Sequence, residues 1–160
     1  MKPLVAALHL SAAAWLALAV PGCMGDSGPP DPPCAGVALL GASVTQVQAT
    51  GSPPTPMGGT VADGIYVLTK EEAYPPVVVD PPFHRSETIQ LTGTEMRAIV
   101  VSDTFPDALT ATAILTTSGV QATIEWVCGA RGVFTQGYTA TTADLVFISA
   151  PGIVSTFTKQ

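Results

Sequence analysis

Apolar and polar residues alternate along most of the second half of the chain. In residues 120–128, for example, Ala122, Ile124 and Trp126 fall on one side, while Glu125 and other polar residues fall on the opposite side. A period of two residues is the pattern of a β-strand that has one buried and one solvated face. No segment of this half shows sustained helical periodicity, so the pattern predicts an all-β domain with an antiparallel sheet.

Turn signals separate these runs at intervals of roughly ten residues. The pair Gly93 and Thr94, between residues 87–92 and 95–101, is typical of a two-residue hairpin turn. About eight strands are predicted, at 65–69, 87–92, 95–101, 109–116, 120–128, 133–140, 144–149 and 153–159. Short sequential hairpins favour an up-and-down meander β-barrel, whose closure removes exposed edges, over the alternative of a β-sandwich.

Proline marks the less regular stretches. Four prolines within residues 71–85 exclude a central strand there, so we expect a long loop with, at most, an edge strand. In such a loop Glu71 and Glu72 are expected to be solvated charges. Residues 51–59 are also predicted to form a loop. Within residues 37–49, the run of Val44, Thr45 and Val47 fits either a strand or a short helix.

The start of the chain has the layout of a secretory signal, because Lys2 precedes an apolar run over residues 4–20. The run is at the short end of what a membrane-spanning helix needs, and acidic rather than basic residues follow it. A retained transmembrane anchor is the alternative. A second alternative is an ordinary secretory signal, which would leave Cys23 as a spare thiol.

Residues 18–23, Leu-Ala-Val-Pro-Gly-Cys, resemble the lipobox of bacterial lipoproteins. Val20 and Gly22 fit the branched and small positions, whereas Pro21 is unusual in the middle. The resemblance implies a signal peptide at 1–22, palmitate-type acyl chains on Cys23 and anchoring in a membrane. Met24, rather than aspartate, implies the outer membrane. We then expect a proline- and glycine-rich tether over 23–57 and a barrel domain over 58–160.

Charge narrows the range of partners. The chain has six basic and twelve acidic side chains, and removal of the leader with Lys2 leaves five against twelve, a net charge near −7. The remaining cations are scattered and form no patch of the kind that phosphate binding requires, which argues against nucleic acid. We expect a monomer with a single folded domain.

Two cysteines remain after Cys23, namely Cys34 and Cys128. Because an exported chain enters an oxidising compartment, this even remainder predicts one disulfide, worth about 4 kcal/mol on the chain-entropy model. A metal site is the alternative, but the CxxC spacing and neighbouring histidines that would favour it are lacking. The sequence therefore implies no metal and no cofactor.

Candidate catalytic groups are few. His84 is the one histidine after the leader, and Gly41-Ala42-Ser43 lacks the second glycine of a nucleophile elbow because Thr45 stands there. Asp103 and Asp107 lack the regular spacing of a calcium loop. We therefore expect no enzyme, and a secreted hydrolase is kept only as the second alternative function.

Residues 58–69, followed by a hairpin and the closing segments 138–140 and 157–160, look like small lipocalin-like barrels of Gram-negative lipoproteins. The Gly-x-Trp signature of true lipocalins is absent, and Tyr66 lies near the place of its tryptophan. This resemblance implies binding of a small apolar ligand or lipid inside the barrel. The first alternative is a structural or adhesive envelope protein that acts through protein partners. Candidate pocket residues, which would otherwise be plain core, are Tyr66, Trp126, Tyr138 and Phe147.

Overall fold

The structure, a computed structural model, describes Cys34 and residues 36–160. The expected leader, Cys23 and the first part of the expected tether lie outside the described residues. The described residues form ten strands and no helix. The strands are β1 (Val44–Thr45), β2 (Val47–Gln48), β3 (Gly64–Ala73), β4 (His84–Thr92), β5 (Glu95–Ser102), β6 (Leu109–Ser118), β7 (Gln121–Cys128), β8 (Gly132–Ala140), β9 (Asp144–Ser149) and β10 (Ile153–Lys159).

Eight of these described strands close into a barrel. Each strand from β4 to β10 pairs antiparallel with the next one along the chain, β10 pairs with β3, and β3 returns to β4. This is an antiparallel meander barrel of lipocalin-like type, as predicted, and the β-sandwich alternative is wrong. Alternation correctly predicted the buried apolar faces of three strands. The buried residues are Ile89 and Leu91 of β4, Met96 and Ala98 of β5, and Ala122 and Ile124 of β7.

The hairpin turns follow from glycine. Gly93 has a φ of +58°, and Thr92 pairs with Glu95 across the two-residue turn, which confirms the predicted hairpin. The next hairpin, between β6 and β7, turns at Gly119 and Val120 rather than at residues 117–119 as predicted. Gly119 also has a φ of +58°, so the turn is placed where the left-handed backbone costs least.

The connection between β3 and β4 is shorter than predicted. Its prolines lie within residues 74–83, while β3 continues to Ala73 and β4 begins at His84. The predicted loop over residues 71–85 is therefore wrong at both of its ends. Proline lacks one amide donor and has a fixed φ, so it interrupts the hydrogen-bond ladder of a sheet at its own position. Strands can still extend to the residues beside the prolines.

A bulge in β3 decides what lies inside the barrel at this end. The register of β3 against β10 shifts between Leu68 and Lys70, so Thr69 is an extra residue. Two successive exposed residues, Thr69 and Lys70, interrupt the alternation, and Glu71 is 2% exposed. The expectation that Glu71 is a solvated loop charge is therefore wrong, because the bulge turns this side chain inward.

A strap, defined as residues 36–49, runs along the part of the barrel wall where β3 and β4 separate. The strands β3 and β4 pair only over residues 64–67 of β3, and beyond that point β1 pairs with β4 while β2 runs parallel to β3. The backbone amide of Leu40 donates to Thr88 Oγ1 at 2.9 Å. Thr88 lies on the outward face of β4, because it alternates with inward residues, yet it is fully buried. The strap thus covers the seam between β3 and β4. The strand alternative for the run from Val44 to Val47 is confirmed by the short strands β1 and β2, whereas residues 36–43 form no strand.

The described chain begins at a covalent link to the barrel. Cys34 forms a disulfide with Cys128 at the end of β7, with the two Cα atoms 5.5 Å apart. The predicted pairing is confirmed. The bridge spans 94 positions of sequence and fixes the start of the strap beside β6 and β7.

Pro32–Gln160 is a compact unit. It contains every described strand, the disulfide and the hydrophobic core, and it is therefore the fragment to test in solution. No helix among the described residues has the length and apolar character needed to cross a membrane. The core consists of Tyr66, Leu68, Ile89, Leu91, Met96, Ala98, Ala113, Leu115, Ala122, Ile124, Tyr138, Leu145, Phe147 and Phe157.

Candidate functional site

The barrel contains a cavity of about 380 Å³ at the end where β3 stops and β4 starts. This volume lies within the usual range of small-molecule sites, about 300 to 1,000 Å³. Much of its wall is aromatic, and Phe134, which is 54% exposed, lies at the rim. The aromatic lining residues are Phe83, Trp126, Phe134, Phe147 and Phe157.

The predicted pocket residues divide into two pairs. Trp126 and Phe147 line the cavity, whereas Tyr66 and Tyr138 do not. Both tyrosines are buried at the opposite end of the barrel, where Tyr66 Oη donates to the carbonyl of Ala62 at 2.7 Å and Tyr138 Oη donates to the carbonyl of Gly59 at 2.8 Å. Their hydroxyls therefore hold the segment that leads into β3, and they do not face the cavity.

Two phenylalanine rings pack against each other in the wall of the cavity. Phe147 and Phe157 meet edge to face with ring centroids 6.0 Å apart and an interplanar angle of 74°.

Phe83 belongs to the connection between β3 and β4, and its carbonyl accepts a hydrogen bond from the amide of Gln46 at 2.8 Å. Because Gln46 lies in the strap and also lines the cavity, the strap helps to shape one side of the mouth.

A charged cluster lines the same cavity. Arg85 Nη2 lies 3.0 Å from Glu71 Oε1 and donates to Ser155 Oγ at 3.0 Å. Ser155 in turn donates to Glu71 Oε1 at 3.3 Å. Glu71, Arg85 and Ser155 stand on β3, β4 and β10, so the bulge in β3 and the closure of the barrel together assemble them.

Glu87 is the second carboxylate of the cluster. It stands two residues after Arg85 on the same face of β4, and Arg85 Nε lies 3.4 Å from Glu87 Oε2. Burial raises the pKa of the Glu87 carboxyl; the Arg85 charge opposes this rise and the Glu71 charge adds to it. Two carboxylates and one guanidinium therefore share the inner wall among the described residues.

Sequence reasoning missed this cluster for two different reasons. Arg85 and Glu87 are in phase with Ile89 and Leu91, so the alternation of β4, continued backward, would have placed both inside. Glu71 carries no such signal, because simple alternation from Tyr66 would have turned Lys70 inward instead. Only the bulge, which depends on pairing with β10, places Glu71 in the cavity.

The other candidate residues lie elsewhere. His84, at the start of β4, is exposed, and its Nδ1 lies 3.1 Å from Asp103 Oδ2. The hydrogen bond from the His84 amide, followed by that of its ring, lowers the pKa of Asp103. Glu125 is exposed on the outer face of β7, as predicted. Within the described residues, no three His, Cys, Asp or Glu side chains form a group that could hold a metal ion.

Comparison with protein-family models, curated proteins and solved structures finds no match to this chain. Any proposal about function therefore rests on the sequence and on the geometry of the cavity.

Proposed function

We propose that this chain is a non-enzymatic binding protein of the cell envelope, anchored at the outer membrane through acyl chains on Cys23, whose barrel holds one small, mainly apolar molecule or lipid. The envelope location rests on the signal-like leader and on the resemblance of residues 18–23 to a lipobox. Binding rests on the cavity. The two parts are independent of each other.

The observation that carries the binding proposal is the aromatic cavity itself. Small eight-stranded barrels are commonly filled by their own side chains, as a purely structural envelope protein would be. A cavity of about 380 Å³ that opens to solvent and is lined in part by aromatic rings departs from that tendency and has the size of a site for a small ligand.

Native mass spectrometry of Pro32–Gln160, purified from the periplasm of an expression host, tests this proposal. We expect the native mass to exceed the mass of the polypeptide, either as purified or after incubation with a lipid extract. This extra mass should disappear on denaturation. Gln136→Phe adds a ring where Gln136 lines the cavity and should reduce the bound fraction. Thr135→Phe is the matched control, because Thr135 is the exposed residue immediately before Gln136 in β8, and it should leave binding unchanged.

The alternative is a structural or adhesive envelope protein that acts through a protein partner. Exposed apolar side chains on the outer faces of β6, β7 and β8 favour it, because such groups mark interaction surfaces when they cluster. These are Ile114, Val127 and Val133, which are 41%, 55% and 62% exposed. If every preparation shows only the mass of the polypeptide, even after incubation with lipid extract, the structural or adhesive alternative would be favoured over the binding protein.

A further inference from the structure

The buried carboxylate of Glu71 needs a physical explanation. A carboxylate that is 2% exposed carries a desolvation cost of several kcal/mol unless its charge is paired and its oxygens accept hydrogen bonds. Its Oε1 satisfies this requirement through Arg85 and Ser155. Its Oε2 is also buried, yet accepts no hydrogen bond from any residue that the structure describes. Such an atom is an exception among buried polar groups.

The charge of the cluster gives the second part of the explanation. Among the described residues of the cluster, the two carboxyl groups of Glu71 and Glu87 face the single guanidinium group of Arg85. Arg85 Nη2 serves Glu71 and Ser155, whereas Arg85 Nε lies 3.4 Å from Glu87 Oε2 and is itself buried without a hydrogen-bond partner among the described residues. The excess of carboxyl groups over guanidinium groups, together with the unpaired Oε2 of Glu71, favours a positively charged donor over an anion.

The surroundings of the cluster give the third part. Trp126, Phe147 and Phe157 line the same cavity, which offers an apolar chain a surface of rings. Aromatic faces also attract cations. We propose that Glu71, with Arg85, Glu87 and Ser155, forms the head-group subsite of the cavity and binds the ammonium group of an amphiphilic amine. This inference rests on the proposed binding function and names the ligand class.

Three eight-carbon probes that differ only in their head groups test the inference on Pro32–Gln160. They are octylamine, octanol and octanoate, and Trp126, the single tryptophan of this fragment, reports binding by its fluorescence. At pH 7 the amine is charged. Charge-assisted hydrogen bonds are worth about twice neutral ones, so we expect octylamine to bind about tenfold or more tightly than octanol, with octanoate weakest.

Glu71→Gln should remove most of the preference for octylamine over octanol. Glu125→Gln, an equal change at an exposed position of β7, is the matched control and should retain the preference. A thermal melt by circular dichroism checks that each variant is folded. If Glu71→Gln does not fold, the three probes on the unaltered fragment decide the question by themselves.

The outcomes separate this inference from the proposed function. Equal binding of octylamine and octanol, or tightest binding of octanoate, would overturn the amine subsite and leave a cavity that binds apolar chains. Failure of all three probes would count against the binding function itself.

Vesicles of phosphatidylethanolamine, which carries the same ammonium group, distinguish a lipid head group from a free amine as the ligand. A lipid adduct in native mass spectra after incubation with these vesicles would identify the ligand as a lipid. Octylamine binding without any lipid adduct would identify the ligand as a free amine.

Discussion

Arg85→Met should destabilise Pro32–Gln160 far more than the loss of an ordinary surface charge. In the folded barrel, Arg85 Nη2 lies 3.0 Å from Glu71 Oε1, and Glu71 is 2% exposed. The variant leaves that carboxylate inside the barrel with the hydroxyl of Ser155 as the remaining hydrogen-bond donor among the described residues. Removing one partner of a buried ion pair costs about 3 to 5 kcal/mol. That is a large part of the 5 to 15 kcal/mol by which domains are usually stable.

Urea unfolding at pH 7, followed by Trp126 fluorescence and far-UV circular dichroism, measures this loss. Arg97→Met is the matched control, because Arg97 pairs with Glu95 on the exposed side of β5. Exposed pairs contribute about 0 to 1 kcal/mol, so the control should unfold close to the unaltered fragment.

The single variant Glu71→Leu and the double variant of Glu71→Leu with Arg85→Met complete the design. Replacing a buried pair with apolar residues is often neutral, so the double variant should recover most of the stability that Arg85→Met loses. Such a recovery would show that the two residues are coupled. If Arg85→Met unfolds within about 1 kcal/mol of the control, or if the two single losses simply add, the electrostatic account of the cluster is wrong.

Two further predictions concern the disulfide and pH. Replacing Cys34 and Cys128 together by serine should lower the free energy of unfolding by about 4.7 kcal/mol on the chain-entropy model for a 94-residue separation. A urea midpoint unchanged from that of the parent would contradict this prediction. Burial raises the pKa of Glu87, so between the ordinary glutamate pKa and this raised value the folded barrel holds more protons than the unfolded chain. Stability should therefore fall as pH rises through that window. Glu87→Gln should flatten the curve, and an identical pH profile for parent and variant would refute the assignment.

Much of the barrel could be predicted from local pattern. β9 and β10, with the turn at residues 150–152, lie where the alternation and the glycine and proline signals placed them. Each of these features depends on residues that are neighbours in sequence. The cysteine count likewise predicted the disulfide, because pairing required only an even remainder and an oxidising compartment.

The candidate site could be predicted only in part. Trp126 and Phe147 were expected in a pocket and do line the cavity, whereas Tyr66 and Tyr138 hold a chain segment at the other end. Alternation says that a side chain points inward, but not at which depth of a barrel it lies. That depth follows from the stagger of the strands, and so from the closure of the sheet.

The sequence by itself determined the strand order of the meander, most turns, the disulfide and the inward faces, because each follows from a period of two or from the chemistry of single residues. Only the tertiary structure decided that the strap covers the seam between β3 and β4 and that Glu71 lies beside Arg85. Glu71 turns inward because pairing with β10 forces one extra residue into β3 at Thr69. A bulge depends on both strands of a pair, and the residues that meet at this bulge are more than eighty positions apart in the chain.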